Sequence, residues 1–488
     1  MTDSRESVVD TSQFRRPAGF FSNGEWCPSS GSESFQVVNP ATAEPCAEVS
    51  RASAADVDTA VRAAHQALHH GTWPGLSLDD RCEIVGSIRA GLAAARDELA
   101  RAAAVTLGQP LRFARGLGGS LDVIDMCLES VRQVEFEYER EDRFGRSLIT
   151  RRPVGVVAAI VPWNTPLRAE VKKVVPALLA GCTVVLKPAP ETPFAAAILA
   201  DVSAKAGLPP GVLNVVNGGA DVGENLVSHP LVRKIAFTGS TATGVRIGEI
   251  CSRSMKRTQL ELGGKSAAVL LEDADPAKAI PQLVDANFRN TGQTCAAVTR
   301  ILVHRSAYGA VCDAMVEGAR AQVVGDPLDG ATTVGPLVSS RQRDRVERYI
   351  ERGSSEGSRL LAGGRRPAHL DRGWYIEPTV FGAVSNSMTI AQEEIFGPVA
   401  SIIQYDTVAE AIELANDSPY GLHGSVFSAD DDRALAVARQ IDSGAIGINR
   451  YGIPGSTPFG GVKMSGIGRE HGPEGYDSFL EYRSYGYA

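Results

Sequence analysis

Between residues 151 and 262, short apolar and β-branched runs alternate with amphipathic stretches. The pattern predicts strands at Val154–Val161, Thr183–Leu186, Val212–Val216, Ile235–Thr238 and Gln259–Leu262, interspersed with helices at Ala169–Ala180, Thr192–Ala206 and Thr241–Arg253. Strands and helices in alternation imply a parallel sheet with helices on both faces, and ligands of such sheets bind at the carboxyl ends of the strands. A second alternating series begins at Ala267–Leu271 and includes strands at Arg300–His304 and Ser401–Tyr405 and a helix at Asp406–Asn416, which predicts a second α/β domain. The N-terminal third reads as helical. Ser53 and Asp56 make a capping-box-like start, Val57, Val61, Ala64 and Leu68 follow at helical spacing, and Ile84, Ile88, Leu92, Ala95 and Leu99 form a second stripe. Both stripes are expected to pack on a core. Gln133–Thr150 and Ser478–Ala488 are rich in charged and aromatic residues and read as exposed strands. There is no long internal repeat and no low-complexity linker.

Composition narrows the classes. The 488 residues are too many for one compact core, and 43% hydrophobic with 22% charged residues is ordinary for a soluble enzyme. A net charge of -8, without a lysine- or arginine-rich run, argues against nucleic acid as a partner. The first twenty residues lack the apolar core of a secretory signal. The longest apolar run, residues 154–163, is too short to cross a bilayer, so the expectation is a cytoplasmic protein with no membrane partner. The eight cysteines form no CxxC pair and no disulfide framework. His65, His69 and His70 cluster without further ligands, so no metal site is expected.

Several segments carry chemistry. "FTGSTATG" (237–244) joins a strand end, a glycine turn and a helix start, which would aim backbone N–H groups at a phosphate. It is neither a Walker A loop nor GxGxxG. Lys187, in "LKPAP", ends a strand and could hold a ribose hydroxyl or a phosphate, or simply be solvated. Glu261, in "QLELGGKS", sits in an apolar strand end, where partial desolvation suits a base; a carboxylate paired with a buried arginine is the competing reading. Asn164, in "VPWNTP", could donate to an oxyanion or form a turn. Cys295, in "FRNTGQTCAA", stands among small and polar residues with no cysteine or histidine beside it.

The order PWNTP, KPAPETP, FTGSTATG, ELGGKS, NTGQTC, EEIFGPV and PFGGVKMSGIGRE resembles the aldehyde dehydrogenase superfamily over nearly the whole chain. The resemblance implies an α/β fold with a Rossmann-like cofactor domain (19–130 and 151–261), an α/β catalytic domain (262–460) and a small β oligomerisation extension (131–150 and 471–488). It implies that an aldehyde is oxidised to the carboxylic acid with reduction of NAD, or alternatively NADP. Cys295 would be the nucleophile. Its backbone N–H and the Asn164 side chain would hold the hemithioacetal oxyanion, and Glu261 would deprotonate the water that hydrolyses the thioester. Lys173 and Glu470 match a charged pair near the base. The implied cofactor set is Gly239 and Ser240 at the pyrophosphate, Lys187 at the adenosine ribose, Glu394 and Phe396 at the nicotinamide ribose, and Trp163, with Ile160, Pro162, Gly219, Gly223, Phe237 and Leu262. Thr165 and Phe459 are the implied substrate residues, and a homo-oligomer, dimer or homotetramer, is the implied assembly.

Two departures stand out. Pro190, followed by Glu191, occupies the place where many NAD-specific members carry a ribose-gripping glutamate, which lessens repulsion toward a 2′-phosphate. Members that favour apolar aldehydes often have aromatics at the positions of Thr165 and Lys172, so a wider or more polar entrance is expected here. Two other readings are a CoA-acylating semialdehyde dehydrogenase, whose members commonly lack the base glutamate, and a catalytically silent binding or structural member.

Overall fold

The computed structural model describes residues 19–487; the polar stretch 1–18 and Ala488, both part of the expectations above, lie outside the described residues. An eight-stranded sheet runs in the order Glu25–Cys27, Phe20–Ser22, Leu213–Val215, Thr183–Lys187, Val156–Ile160, Val232–Thr238, Arg257–Glu261 and Gly466–Ile467. Its five central strands are parallel. Their alternating side chains serve two cores. Val157, Ala159, Val184 and Leu186 pack on one face, and Val156, Ala158, Ile160 and Val185 on the other. Helices cover both faces, as the alternation predicts. From Val156–Ile160 the chain adds strands first to one side and then, with Val232–Thr238, to the other. Such a reversal opens a crevice at the carboxyl ends of the two neighbouring strands, which here lead into Pro162–Asn164 and Gly239–Ser240.

A seven-stranded sheet follows, in the order Arg359–Ala362, Thr379–Gly382, Val399–Tyr405, Arg300–His304, Ala267–Leu270, His423–Phe427 and Ala445–Ile448. All its neighbours are parallel except the first pair, which is antiparallel. The chain crosses between the sheets through residues 262–266. The carboxyl edge of the first sheet therefore faces the amino edge of the second, where the segments holding Cys295 and Glu394 precede their strands. A separate three-stranded antiparallel sheet joins Leu480–Gly486, Gly145–Pro153 and Glu137–Asp142.

The N-terminal third is not all helical. Strands Phe20–Ser22 and Glu25–Cys27 edge the large sheet, and Ser34–Asn39 pairs with Glu44–Ser50; the first two, three residues each, are too short to show a period. The capping box at Ser53 and Asp56 forms as predicted, on helix Ala54–His70. The stripe from Ile84 to Leu99 spans two helices, Leu78–Ala94 and Arg96–Leu107, because Ala95 leaves helical geometry at ψ 11°. No glycine or proline marks that break. No helix of the described residues is long and apolar enough to cross a membrane. His65, His69 and His70 acquire no further ligands among the described residues.

Candidate active site

Cys295 lies in the segment between helix Pro276–Phe288 and strand Arg300–His304. Three successive residues before it are left-handed, Asn290 (φ 53°), Thr291 (φ 57°) and Gly292 (φ 67°). Two of them are not glycine, so the loop holds backbone strain that its surroundings must over-determine. They do. Asn290 Nδ2 donates to the carbonyls of Asn164 (3.0 Å) and Gln293 (3.3 Å). Gln293 Nε2 donates to the Asn290 carbonyl at 3.1 Å, and Gln293 Oε1 accepts from Val338 N at 3.0 Å. Thr291 Oγ1 donates to the Gly335 carbonyl at 3.0 Å. A β-carbon on Gly292 would stand 2.2 Å from the Gly397 carbonyl oxygen, so that position admits only glycine.

Asn164 is buried, and one of its amide hydrogens is given to the Gln293 carbonyl at 2.9 Å. That bond fixes the amide beside Cys295, and both residues line one cleft of about 1030 Å³. Cys295 is half-buried, and burial, with the negative charge of Glu394 added, pushes its thiol up to about 12. Glu261 ends the strand Arg257–Glu261 and is 4% exposed, and neither carboxylate oxygen has a protein hydrogen-bond partner among the described residues. Burial, then the charge of Glu470, holds its carboxyl well above the usual range. The competing reading of an arginine partner is not met: Arg469 donates instead to the carbonyls of Gly461 and Gly468. Glu470 behaves oppositely. Burial would raise it, but Lys173 Nζ at 2.8 Å and Lys172 Nζ at 3.3 Å outweigh burial and hold its carboxyl well below the usual range.

The same cleft gathers Pro162, Trp163, Gly239, Ser240, Leu262, Glu394 and Phe396. Ser240 caps helix Thr241–Ser252 by accepting from Thr243 N, and the Gly239 N–H is held by the Glu261 carbonyl at 3.0 Å. Glu394 Oε1 accepts from Gly264 N at 3.2 Å, and burial pushes its carboxyl up to about 7. Phe396, left-handed at φ 60°, meets Trp163 edge-on at 5.3 Å. Lys187 does not line the cleft; it is buried at the end of its strand, paired with Ile160, donates to the Pro188 carbonyl at 3.1 Å and is brought by burial down to about 8. Gly219 precedes helix Ala220–Ser228, and a β-carbon on Gly223 would touch the Lys187 stem at 3.6 Å. Ile160 and Phe237 lie in the strand core behind the cleft and do not line it. Thr165 lines a different cavity of about 500 Å³, with Leu99, Leu167 and Phe194. Phe459 is paired with Glu470 through two backbone hydrogen bonds of 2.7 Å.

Helix Ser340–Ser355 adds residues that the motifs did not indicate. Arg341, Gln342, Arg345 and Arg348 line the cleft. Gln342 Nε2 donates to the carbonyls of Ile395 (3.2 Å) and Phe396 (2.7 Å), and Arg345 to that of Glu394 at 2.5 Å, so the helix braces the Glu394 segment. Residues 341–352 carry five arginines, which corrects the reading that the chain has no arginine-rich run. That local density was the available signal.

The aldehyde dehydrogenase family model matches residues 26–485. A geranial dehydrogenase of Castellaniella defragrans is 43% identical over 95% of this chain and 97% of its own. An aldehyde dehydrogenase of Mycobacterium tuberculosis, crystallised with NAD+, is 45% identical, covers 97% of this chain and 99% of its own, and superposes with a TM-score of 0.95. A Pseudomonas syringae aldehyde dehydrogenase mutant bound to NAD+ and octanal is 40% identical over 96% of each chain, with a TM-score of 0.93.

The loop before Cys295 yields a direct test. Gly292→Ala should cost about 1–3 kcal/mol from the left-handed backbone alone, before the collision with Gly397 is added. A lower melting temperature and a changed alkylation rate at the Cys295 peptide are expected. Wild-type values of both would show that the loop is not held as described.

Proposed function

The chain belongs to the aldehyde dehydrogenase family and is an NAD-dependent oxidoreductase that converts an aldehyde to a carboxylic acid, and from that premise we propose which of its residues do the work. The observation that carries the assignment is the meeting of Cys295 and Asn164 with Gly239, Ser240 and Glu394 in one cleft at the sheet's switch point. The cleft suits a dinucleotide. It has a capped helix start for the pyrophosphate, the ammonium of Lys187 for the adenosine ribose, and the Glu394 carboxylate for the nicotinamide ribose. When bound, NAD supplies the acceptor for the hydride that leaves the hemithioacetal carbon, which leaves a thioester on Cys295.

The chain's own groups do the rest. The Cys295 thiol gives up its proton to water, and the sulfur bonds to the aldehyde carbon as the C=O π electrons move onto oxygen. The Asn164 amide, anchored by its bond to Gln293, and the Cys295 N–H hold the resulting oxyanion. Glu261, with no hydrogen bond to satisfy its charge, is basic enough to take a proton from water, whose oxygen then attacks the thioester. The C–S bond then breaks, the acid leaves, and the sulfur takes back a proton from Glu261, restoring thiol and base. Lys173 and Glu470 form the charged pair next to that base. The retained Glu261 leaves nothing in favour of the CoA-acylating reading. Phe459, beside Lys172, borders the substrate approach in this reading; the aldehyde is a small molecule of unassigned chain. A cytoplasmic location and a homo-oligomer belong to the same reading. The assembly would form through the three-stranded sheet, whose Phe144, Tyr482 and Tyr485 are exposed.

Three experiments test these assignments. Glu261→Gln should give an NADH burst stoichiometric with active sites and then a steady state slower by roughly 10²–10⁴-fold; full steady-state turnover would remove Glu261 from the mechanism. Pro190 sits beside Glu191, whose carboxylate is 3.9 Å from the Arg341 guanidinium. NADP should therefore be used, though less well than NAD, and Pro190→Glu should shift the kcat/KM ratio toward NAD. An unchanged ratio would misplace the ribose pocket. Truncation after Leu480 keeps the buried Phe479 and Leu480 and should break up the oligomer on a sizing column; a native elution volume would show that the tail is not the joint.

A further inference from the structure

Helix Pro166–Leu179 presents Lys172 and Lys173 in succession, and both ammonium groups reach one carboxylate. Lys173 Nζ lies 2.8 Å from Glu470 Oε1, and Lys172 Nζ lies 3.3 Å from Oε2. The Glu470 side chain is 4% exposed, that of Lys173 fully buried and that of Lys172 16% exposed, so water screens the cluster weakly. Lys172 Nζ also stands 5.0 Å over the ring of Phe459, whose backbone is bonded to that of Glu470. The lysine is thus clamped between a carboxylate and an aromatic face. Among the described residues no other carboxylate forms an ion pair with either lysine. Two cations on one anion leave a surplus positive charge.

The surroundings give that surplus a use. The charged groups that act on Glu261 are Glu470 and Arg469 from the C-terminal segment and Lys172 and Lys173 from the helix. Those that act on Cys295 are the carboxylates Glu394, Glu261 and Glu470, with Lys172 as the opposing cation. The catalytic cycle needs a thiolate on Cys295 and, later, a carboxylate on Glu261. Each adds negative charge to a site that already holds Glu470 and Glu394.

We propose that Lys172 is a positioning residue for this reaction: it holds the Glu470 oxygen that Lys173 leaves free and keeps a second positive charge beside the base and the nucleophile. The inference rests on the reading of Cys295 as nucleophile and Glu261 as base. Lys172 stands where the resemblance places an aromatic in members that favour apolar aldehydes, so the charge is a feature of this chain. It acts through the other groups and forms no bond to the reacting carbon.

The test uses the full-length enzyme. Lys172→Gln removes the charge, Lys172→Met removes it while keeping an apolar stem on the Phe459 ring, and Lys172→Arg restores it. Two pH profiles are measured: iodoacetamide alkylation of the Cys295 peptide by mass spectrometry, and steady-state kcat with NAD. Loss of a neighbouring cation disfavours the anionic form of both groups, so their titrations move to higher pH, by about one unit. At neutral pH alkylation should fall about tenfold in the Gln and Met variants, kcat should fall more than the aldehyde KM changes, and Lys172→Arg should keep the wild-type profiles. Unmoved profiles in a charge-removing variant that melts like wild type would overturn the proposal. So would a KM change confined to carboxylate-bearing aldehydes with unmoved profiles, which would make Lys172 a substrate-binding residue. Failure of the underlying reading shows separately, as turnover that survives Cys295→Ala; the Lys172 variants report on the intact thiol.

Discussion

Bare backbone sets how closely the two sheet edges approach where the chain crosses between them. A β-carbon on Gly263 would stand 2.5 Å from a Glu394 oxygen, and one on Gly264 would stand 2.6 Å from the Cys295 carbonyl oxygen. Side chains at either position would therefore push apart the segments that carry Cys295 and Glu394. With glycine at both, Gly264 N also donates to Glu394, so the crossing orients that carboxylate as well as making room for it. The switch point of the first sheet opens a crevice, and the amino edge of the second sheet closes over it. Cys295, Glu261, Asn164 and Glu394 come from those two edges, and Lys173 and Glu470 come from helix Pro166–Leu179 and the C-terminal segment.

That closeness has an electrostatic consequence. Glu261 is buried and Cys295 and Glu394 are half-buried, and loss of surrounding water is the largest influence on each, disfavouring its anionic form. In the proposed reaction a raised pKa makes the Glu261 carboxylate, once ionised, a stronger base, while the Cys295 thiolate must be formed against the cost of its burial. Glu470 supplies the contrast: it is as deeply placed, yet two lysines keep it ionised. Neighbouring carboxylates are thus shifted in opposite directions, Glu261 upward by burial and Glu470 downward by its two lysines.

The parts of this arrangement legible in the sequence are those governed by local pattern. The parallel strands of the first sheet were readable because most carry a short apolar stretch bounded by a turn; Asn164 and Glu261 stood out as polar groups that follow or end such stretches, and Cys295 as a lone cysteine among small and polar residues. What was not readable depends on contacts distant in sequence. The left-handed pair Asn290–Thr291 carries no glycine signal and is held by Asn164 and Gly335, far along the chain. The arginines of helix Ser340–Ser355 look like a solvated face until the fold turns three of them toward the cleft. Ala95 breaks a regular apolar stripe with no residue that favours a break. Thr165, next to Asn164 in sequence, lines a different cavity.

The central claim is that the aldehyde carbon becomes bonded to the sulfur of Cys295 on its way to the acid. Rapid acid quenching of the wild-type enzyme during turnover with NAD and an aldehyde, followed by digestion and mass spectrometry, tests it most directly. The account predicts an acyl adduct on the peptide carrying Cys295 and on no other cysteine peptide, formed and lost at the rate of turnover. NADH formation without that adduct under conditions that trap thioesters, or an adduct on a different cysteine, would contradict it.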